Sequence, residues 1–167
     1  VTVTADIDSG IDIDTYRGTI TAAGNSVNDA FSLEVRVHPE VCEDGPVGNE
    51  LRLDINDPDN GDDFAPGDII NIDVNVENTG DRKDIAVEAF LYNVAEDDEV
   101  ERVEADSIRI KEDDDDDFEL ELKIPFGDEI SEDDEYFLFI KAFEDGDEDK
   151  HCVEEQLDVQ IERESHD

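Results

Sequence analysis

Apolar and polar residues alternate one by one along most of this chain, and a period of two admits little besides β-strands with one buried face. Leu51, Leu53 and Ile55 alternate with polar residues. Ile70, Ile72, Val74 and Val76 are interleaved with Asn71, Asp73, Asn75 and Glu77. Ile85, Val87, Ala89 and Leu91 follow, then Ile108 and Ile110, then Phe118, Leu120, Leu122 and Ile124. Tyr136 to Phe143 is nearly continuous in apolar character, which marks a central strand, and Val153, Leu157, Val159 and Ile161 close the set. Turn formers separate these runs, among them Asp57-Pro58-Asp59-Asn60-Gly61, Thr79-Gly80-Asp81 and Asp145-Gly146-Asp147. The spacing predicts seven strands from Leu51 to Arg163 and an eighth at Val100–Val103. No stretch carries a helical period. The acidic run Asp113–Asp117 is expected to be a solvated hairpin tip.

Seven short strands with regular turns match a two-sheet sandwich, which needs about 100 residues. The chain has 167, so it holds one sandwich and further material. Residues 1–41 read as three more strands, Val1–Ile7, Ile11–Ala22 and Phe31–Val41. Three strands alone do not close a core. They are expected to pack on the sandwich or on another molecule.

Charge narrows the partners. Twelve basic residues face 53 acidic ones, for a net charge of −41. Phosphate recognition needs Lys and Arg, so nucleic acid is excluded as a partner, and an anionic membrane surface with it. The 37% of hydrophobic residues fall in ordered alternation, so the chain reads as folded with an acidic shell. Such a shell repels itself, and either salt or bound divalent cations relieves it. A saline habitat and a specific calcium role are both open at this point. No apolar run has membrane length, so no membrane insertion is expected. The start at Val1-Thr2-Val3-Thr4, without Met or a charged leader, reads as a processed secreted protein.

One segment is more specific than the rest. Ala65-Pro66-Gly67-Asp68 is a turn, Ile69 to Glu77 is a half-buried strand, and Asn78-Thr79-Gly80 is an exit, followed by the strand Ala86 to Tyr92. This pattern resembles the CARDB family, immunoglobulin-like repeats of prokaryotic, in particular archaeal, cell-surface and adhesion proteins. The resemblance covers about Leu51 to Arg163. It implies an all-β, immunoglobulin-like β-sandwich; residues 1–41 fall outside the family pattern, and the strand reading adds them as an N-terminal β-strand extension, so the chain is expected to divide as 1–41 and 42–167. The resemblance brings no catalytic residues. For a sandwich of this kind a disulfide between Cys42 and Cys152 is expected, a pair of buried free thiols being the alternative. In sandwiches of this kind the first and last strands of the body pair in parallel, and the pairing would bring the starts of the strands at Leu51 and Cys152 to one pole. An exported protein would keep that bond oxidised.

Three constellations could carry function. His151 and Cys152 are neighbours, but neighbours in a strand point to opposite faces, so a nucleophile pair is not expected and the chain reads as a non-enzyme. Asp54, Asn56, Asp57, Asp59, Asp62 and Asp63 crowd one turn, and Asp145, Asp147, Glu148 and Asp149 another. Such turns can supply the six to eight oxygens that calcium takes, although neither fits an EF-hand loop. Calcium is therefore the one cofactor the sequence leaves open. The segment 1–8 places Val1, Val3, Ala5 and Ile7 on one strand face. It can lie in its own sheet or act as a donor strand that completes a neighbour's sheet. The function expected from these readings is a structural subunit of an extracellular filament or surface layer, joined to copies of itself by strand exchange. The alternatives are a calcium-dependent adhesion or carbohydrate-binding module, and an ancillary domain of a larger exported enzyme.

Overall fold

The computed structural model describes residues 14–23, 28–37, 39–43, 45–126, 130, 131 and 133–162. It divides into two compact units, Val1–Pro39 and Glu40–Asp167. The donor strand expected over residues 1–8 lies outside the described residues.

In the first unit, β1 (Asp14–Ala23) and β2 (Asn28–Val37) form an antiparallel ribbon in which Gly18 lies opposite Leu33. The second expected strand is thus found, and the third stops at Val37 rather than Val41.

The second unit is an all-β sandwich. One sheet has three strands in the order β3 (Leu51–Asp57), β5 (Ile69–Asn78), β9 (Asp114–Lys123). The other has six, in the order β4 (Asp63–Phe64), β11 (Cys152–Ile161), β10 (Tyr136–Glu144), β6 (Lys83–Asn93), β7 (Asp98–Glu104), with β8 (Ile108–Ile110) beside β6. The alternation read from the sequence is what fills the space between the sheets. Ile70, Val74, Val76, Val87, Leu91, Leu138 and Ile140 are wholly buried there. The chain leaves the small sheet at Asp57 and joins the large one at Asp63, where β4 pairs in parallel with the end of β11.

The motif behind the family resemblance is structural in every part. Gly67 has φ +94° and lies under the Phe126 ring, where a Cβ would come within 1.9 Å of a ring carbon. Asn78 is fully buried, and its amide donates to the Asp81 carbonyl at 2.8 Å while its side-chain oxygen accepts from the Gly80 N–H at 3.1 Å. Gly80 leaves room for Glu50, whose carboxylate would otherwise lie 2.2 Å from a Cβ.

Two expectations are corrected here. The Asp113–Asp117 run is not a hairpin tip. The turn is Lys111–Asp113, with Asp113 at φ +56°; it carries the chain from β8 in the large sheet to β9 in the small one, and Asp114 to Asp117 already belong to β9, opposite Asn78 to Asn75. Backbone pairing with β5 orders them, and the Asn75 amide donates to Asp115 at 2.7 Å and to Asp117 at 2.8 Å. Second, the parallel partner of the last strand is the two-residue β4 and not the first body strand β3, which belongs to the opposite sheet.

Candidate functional site

Cys42 and Cys152 are joined in a disulfide with a Cα separation of 6.0 Å, and both residues are buried. The strand pairing that the sequence suggested is not what brings them together. After Cys42 the chain turns through Gly45 and Pro46, and Val47 then forms an antiparallel bridge with Cys152. The Val47 N–H donates to the Cys152 carbonyl at 2.9 Å, and the Cys152 N–H returns to Val47 at 3.0 Å. The Glu154 carboxylate accepts from the Cys42 N–H at 3.0 Å. With its sulfur in a disulfide, Cys152 holds no thiolate for His151 to activate.

Next to this junction His151 lies between two carboxylates, with Nδ1 3.7 Å from Glu50 and Nε2 3.6 Å from Glu144. Glu50 also receives a 2.6 Å hydrogen bond from the buried Lys83 ammonium, which holds its carboxyl below the ordinary 4.5. The loop before β3 is thereby held to β6 by charge as well as by the β3–β5 ladder.

The large sheet is apolar on its outer face as well. Phe90, Tyr92 and Phe139 are buried there, with Phe90 and Phe139 stacked at 5.3 Å and Tyr92 edge-on to Phe139 at 6.1 Å. The Arg102 guanidinium lies 4.8 Å from the Phe90 ring centre and bonds Glu88 at 2.5 Å and Glu99. Lys141 lies 4.9 Å from the Phe143 ring centre and bonds Glu148 at 2.9 Å. Burial, reinforced by a hydrogen bond to Asp97, pushes the Tyr92 hydroxyl well above its usual range. The alternation read for Ile85 to Leu91 conceals this second layer, although the near-continuous apolar run at Tyr136–Phe143 signals it.

The ribbon of the first unit is amphipathic. Tyr16, Gly18 and Ile20 face Val35, Leu33 and Phe31 across one side, while Arg17, Thr19 and Thr21 face Glu34, Ser32 and Ala30 across the other. Phe31 is 58% exposed, Leu33 39% and Tyr16 36%. Arg17 and Glu34 pair at 3.1 Å on the polar side.

The acidic turns do not gather their carboxylates. Asp54 and Asn56 project from the exposed side of β3, and Asn56 donates to Asp73 at 3.2 Å. Asp57 ends β3 opposite Asp73, and Asp63 opens β4 opposite Gln160. Asp62 accepts from the Asp59 N–H at 3.0 Å, which closes the turn on itself. Asn60 accepts from the Asp158 N–H at 2.8 Å and so anchors the turn to β11. In the other turn Asp147 is paired with Lys150, and Glu148 with Lys141. The Asp145 N–H donates to Asp84, while Asp149 lies in the turn before β11. Among the described residues no three His, Cys, Asp or Glu side chains converge as a cation site. Among them, too, no helix is long and apolar enough to cross a membrane.

Comparison with known proteins adds likeness of fold alone. No protein-family model matches the chain, and no curated protein does. Among solved structures it is similar to the sporulation control protein Spo0M of Bacillus subtilis, at 15% identity and a TM-score of 0.43. It is also similar to the alkylpurine DNA glycosylase AlkC of Pseudomonas fluorescens, solved on DNA with an abasic site analogue, at 9% identity and a TM-score of 0.44. Each match covers 68% of this chain, but 49% of the first protein and 31% of the second. The chain thus spans about half the length of one and a third of the other. At these scores neither match supports an argument about this chain.

Proposed function

We propose that this chain is a non-enzymatic structural module of an extracellular assembly, which associates with copies of itself through its N-terminal β unit. The observation that carries this reading is the apolar side of the β1–β2 ribbon, where Phe31 and Leu33 stay exposed. An isolated two-stranded ribbon is marginal in water, and a face of this kind gains stability by being covered. Among the described residues every member of the body's buried cluster lies between Leu51 and Ile161.

The occupant that fits is a second copy. Repulsion between copies of charge −41 opposes contact almost anywhere on the body. By sequence, residues 14–37 carry three acidic residues, Asp14, Asp29 and Glu34, and two basic ones, Arg17 and Arg36, so the net charge of this stretch is only −1. The segment 1–8, with Val1, Val3, Ala5 and Ile7, is the strand that would extend such a contact into backbone pairing. Such a strand would add to a sheet edge. The disulfide supports an address outside the cytosol. The family resemblance supports a prokaryotic surface.

The test is the mass of the full chain by light scattering in high salt, for wild type, for Phe31→Asp with Leu33→Asp, and for a chain lacking residues 1–8. Wild type is expected to form oligomers that both changes dissolve, with the melting temperature of the body unchanged. A monomeric wild type across the concentration range, or variants that associate as wild type does, would overturn the reading.

A further inference from the structure

We propose that the Cys42–Cys152 bond makes β11 the line along which this protein bears tension, and removes the rest of the sandwich from the path of the load. The body begins at Glu40, and Cys42 follows two residues later. Cys152 is the first residue of β11, and β11 is the last strand of the body. A pull on the chain ahead of Glu40 and behind Glu162 therefore crosses from Cys42 to Cys152 through two sulfurs. It then runs along β11 to Ile161. Everything from β3 to β10 lies inside the covalent loop and carries none of the load.

The strand in the path has almost no length to yield. A β-strand rises about 3.3 Å per residue, and a fully drawn chain reaches about 3.6 Å. Over the ten residues of β11 the difference is about 3 Å. Without the bond, a pull at Glu40 would instead meet the two hydrogen bonds of the Val47–Cys152 bridge and then Leu51, at the end of β3 opposite Asn78. It would then open the β3–β5 ladder one pair at a time, on an edge of the small sheet. The bond spans 110 sequence positions, so it withholds about 380 Å of contour length from extension.

The mechanics follow from the bond and from the place of β11. Their use in a surface assembly rests on the function proposed above. The experiment separates the two, because stretching one molecule needs no association. The full chain is placed between two reference domains and drawn out by force spectroscopy, first oxidised and then with a phosphine reductant added after folding. The oxidised chain is expected to release no length from the body. The reduced chain is expected to release about 380 Å more, less the 6.0 Å that separates the two Cα atoms when folded. A chain with Cys42→Ser and Cys152→Ser is expected to match the reduced one, and if it fails to fold, its drawn length still exceeds the oxidised chain's by the same amount. Release of the long increment by the oxidised chain would overturn the proposal, and so would equal lengths with and without reductant. An inextensible but monomeric protein would keep this proposal and remove the self-association.

Discussion

At the scale of residues, the region between Cys42, Val47, Glu50, Lys83 and Cys152 holds the body together where the chain enters it. A bond across 110 positions restricts the unfolded chain by about 4–5 kcal/mol in the entropy model. Cys42→Ser is therefore expected to lower the melting temperature by on the order of 10 °C, with reductant lowering wild type equally. A melting point unmoved by either would mean that the ladders alone hold the entry. Glu50 gives a pH signature. Its carboxyl is held down chiefly by the hydrogen bond from Lys83, so the folded state favours the charged form. The resulting stability is full above the unfolded value and is lost as pH falls from the ordinary 4.5 through the lowered one. Wild type is expected to lie above Glu50→Gln in melting temperature at neutral pH, and the gap to close as pH falls through and below the ordinary 4.5. A gap of constant size through that window would remove the Lys83 pair from the account.

At the scale of elements, the sheet edges decide how the protein avoids uncontrolled pairing. β9 is ten residues long and, among the described residues, pairs with β5 alone, and an edge strand of this kind presents unpaired backbone groups. The carboxylates of Asp114 to Asp117, with Glu119 and Glu121 on the same strand, guard that edge. Asn75 holds two of them in place. Replacing Asp115 and Asp117 by Thr raises strand propensity and removes the guard. Light scattering at moderate salt is expected to show aggregation of that variant, with the melting temperature changed by less than the cysteine variant changes it. Scattering equal to wild type would show that charge on β9 is a matter of solubility alone. β3 is the opposite edge, and a register shift between Ile55 and Asp57 interrupts its ladder before the last pair, Asp57 with Asp73. On β11, Val47 occupies the start of the outer side, and Asn60, Gly61 and β4 occupy the end.

At the scale of the whole molecule, a net charge of −41 on a chain whose body has an apolar core sets the dependence on salt. The core favours the compact state and the shell opposes it. The Debye length falls to about 3 Å at 1 M salt, so screening is expected to raise the melting temperature steadily with sodium chloride. Each kcal/mol recovered would appear as about 2–4 °C. Calcium chloride at matched ionic strength separates screening from a specific cation. The paired and scattered carboxylates of both turns lead us to expect sodium and calcium to act alike once ionic strength is matched. A melting temperature indifferent to both salts would overturn the account of the shell.

The sequence by itself determined where the long alternating strands of the body run and which side of each faces the core. Side-chain period is a local property, so Ile70 to Val76 and Phe118 to Ile124 declare their buried faces without reference to any partner. It also determined the net charge of −41, which sums over residues and needs no fold. Pairing was decided only in three dimensions. Asp114 to Asp117 are strand because Asn78 to Asn75 lie opposite them, although by local charge they read as a tip. The second apolar layer at Phe90, Tyr92 and Phe139 arises because β6 and β10 are neighbours within the large sheet, a fact that the alternation in β6 does not hold. The two cysteines could be expected to meet, but the Val47 bridge that brings them together, and the passage of the chain from β3 to β4 between sheets, depend on contacts about a hundred residues apart. Periodicity carries no information over that distance, and only the packed structure supplies it.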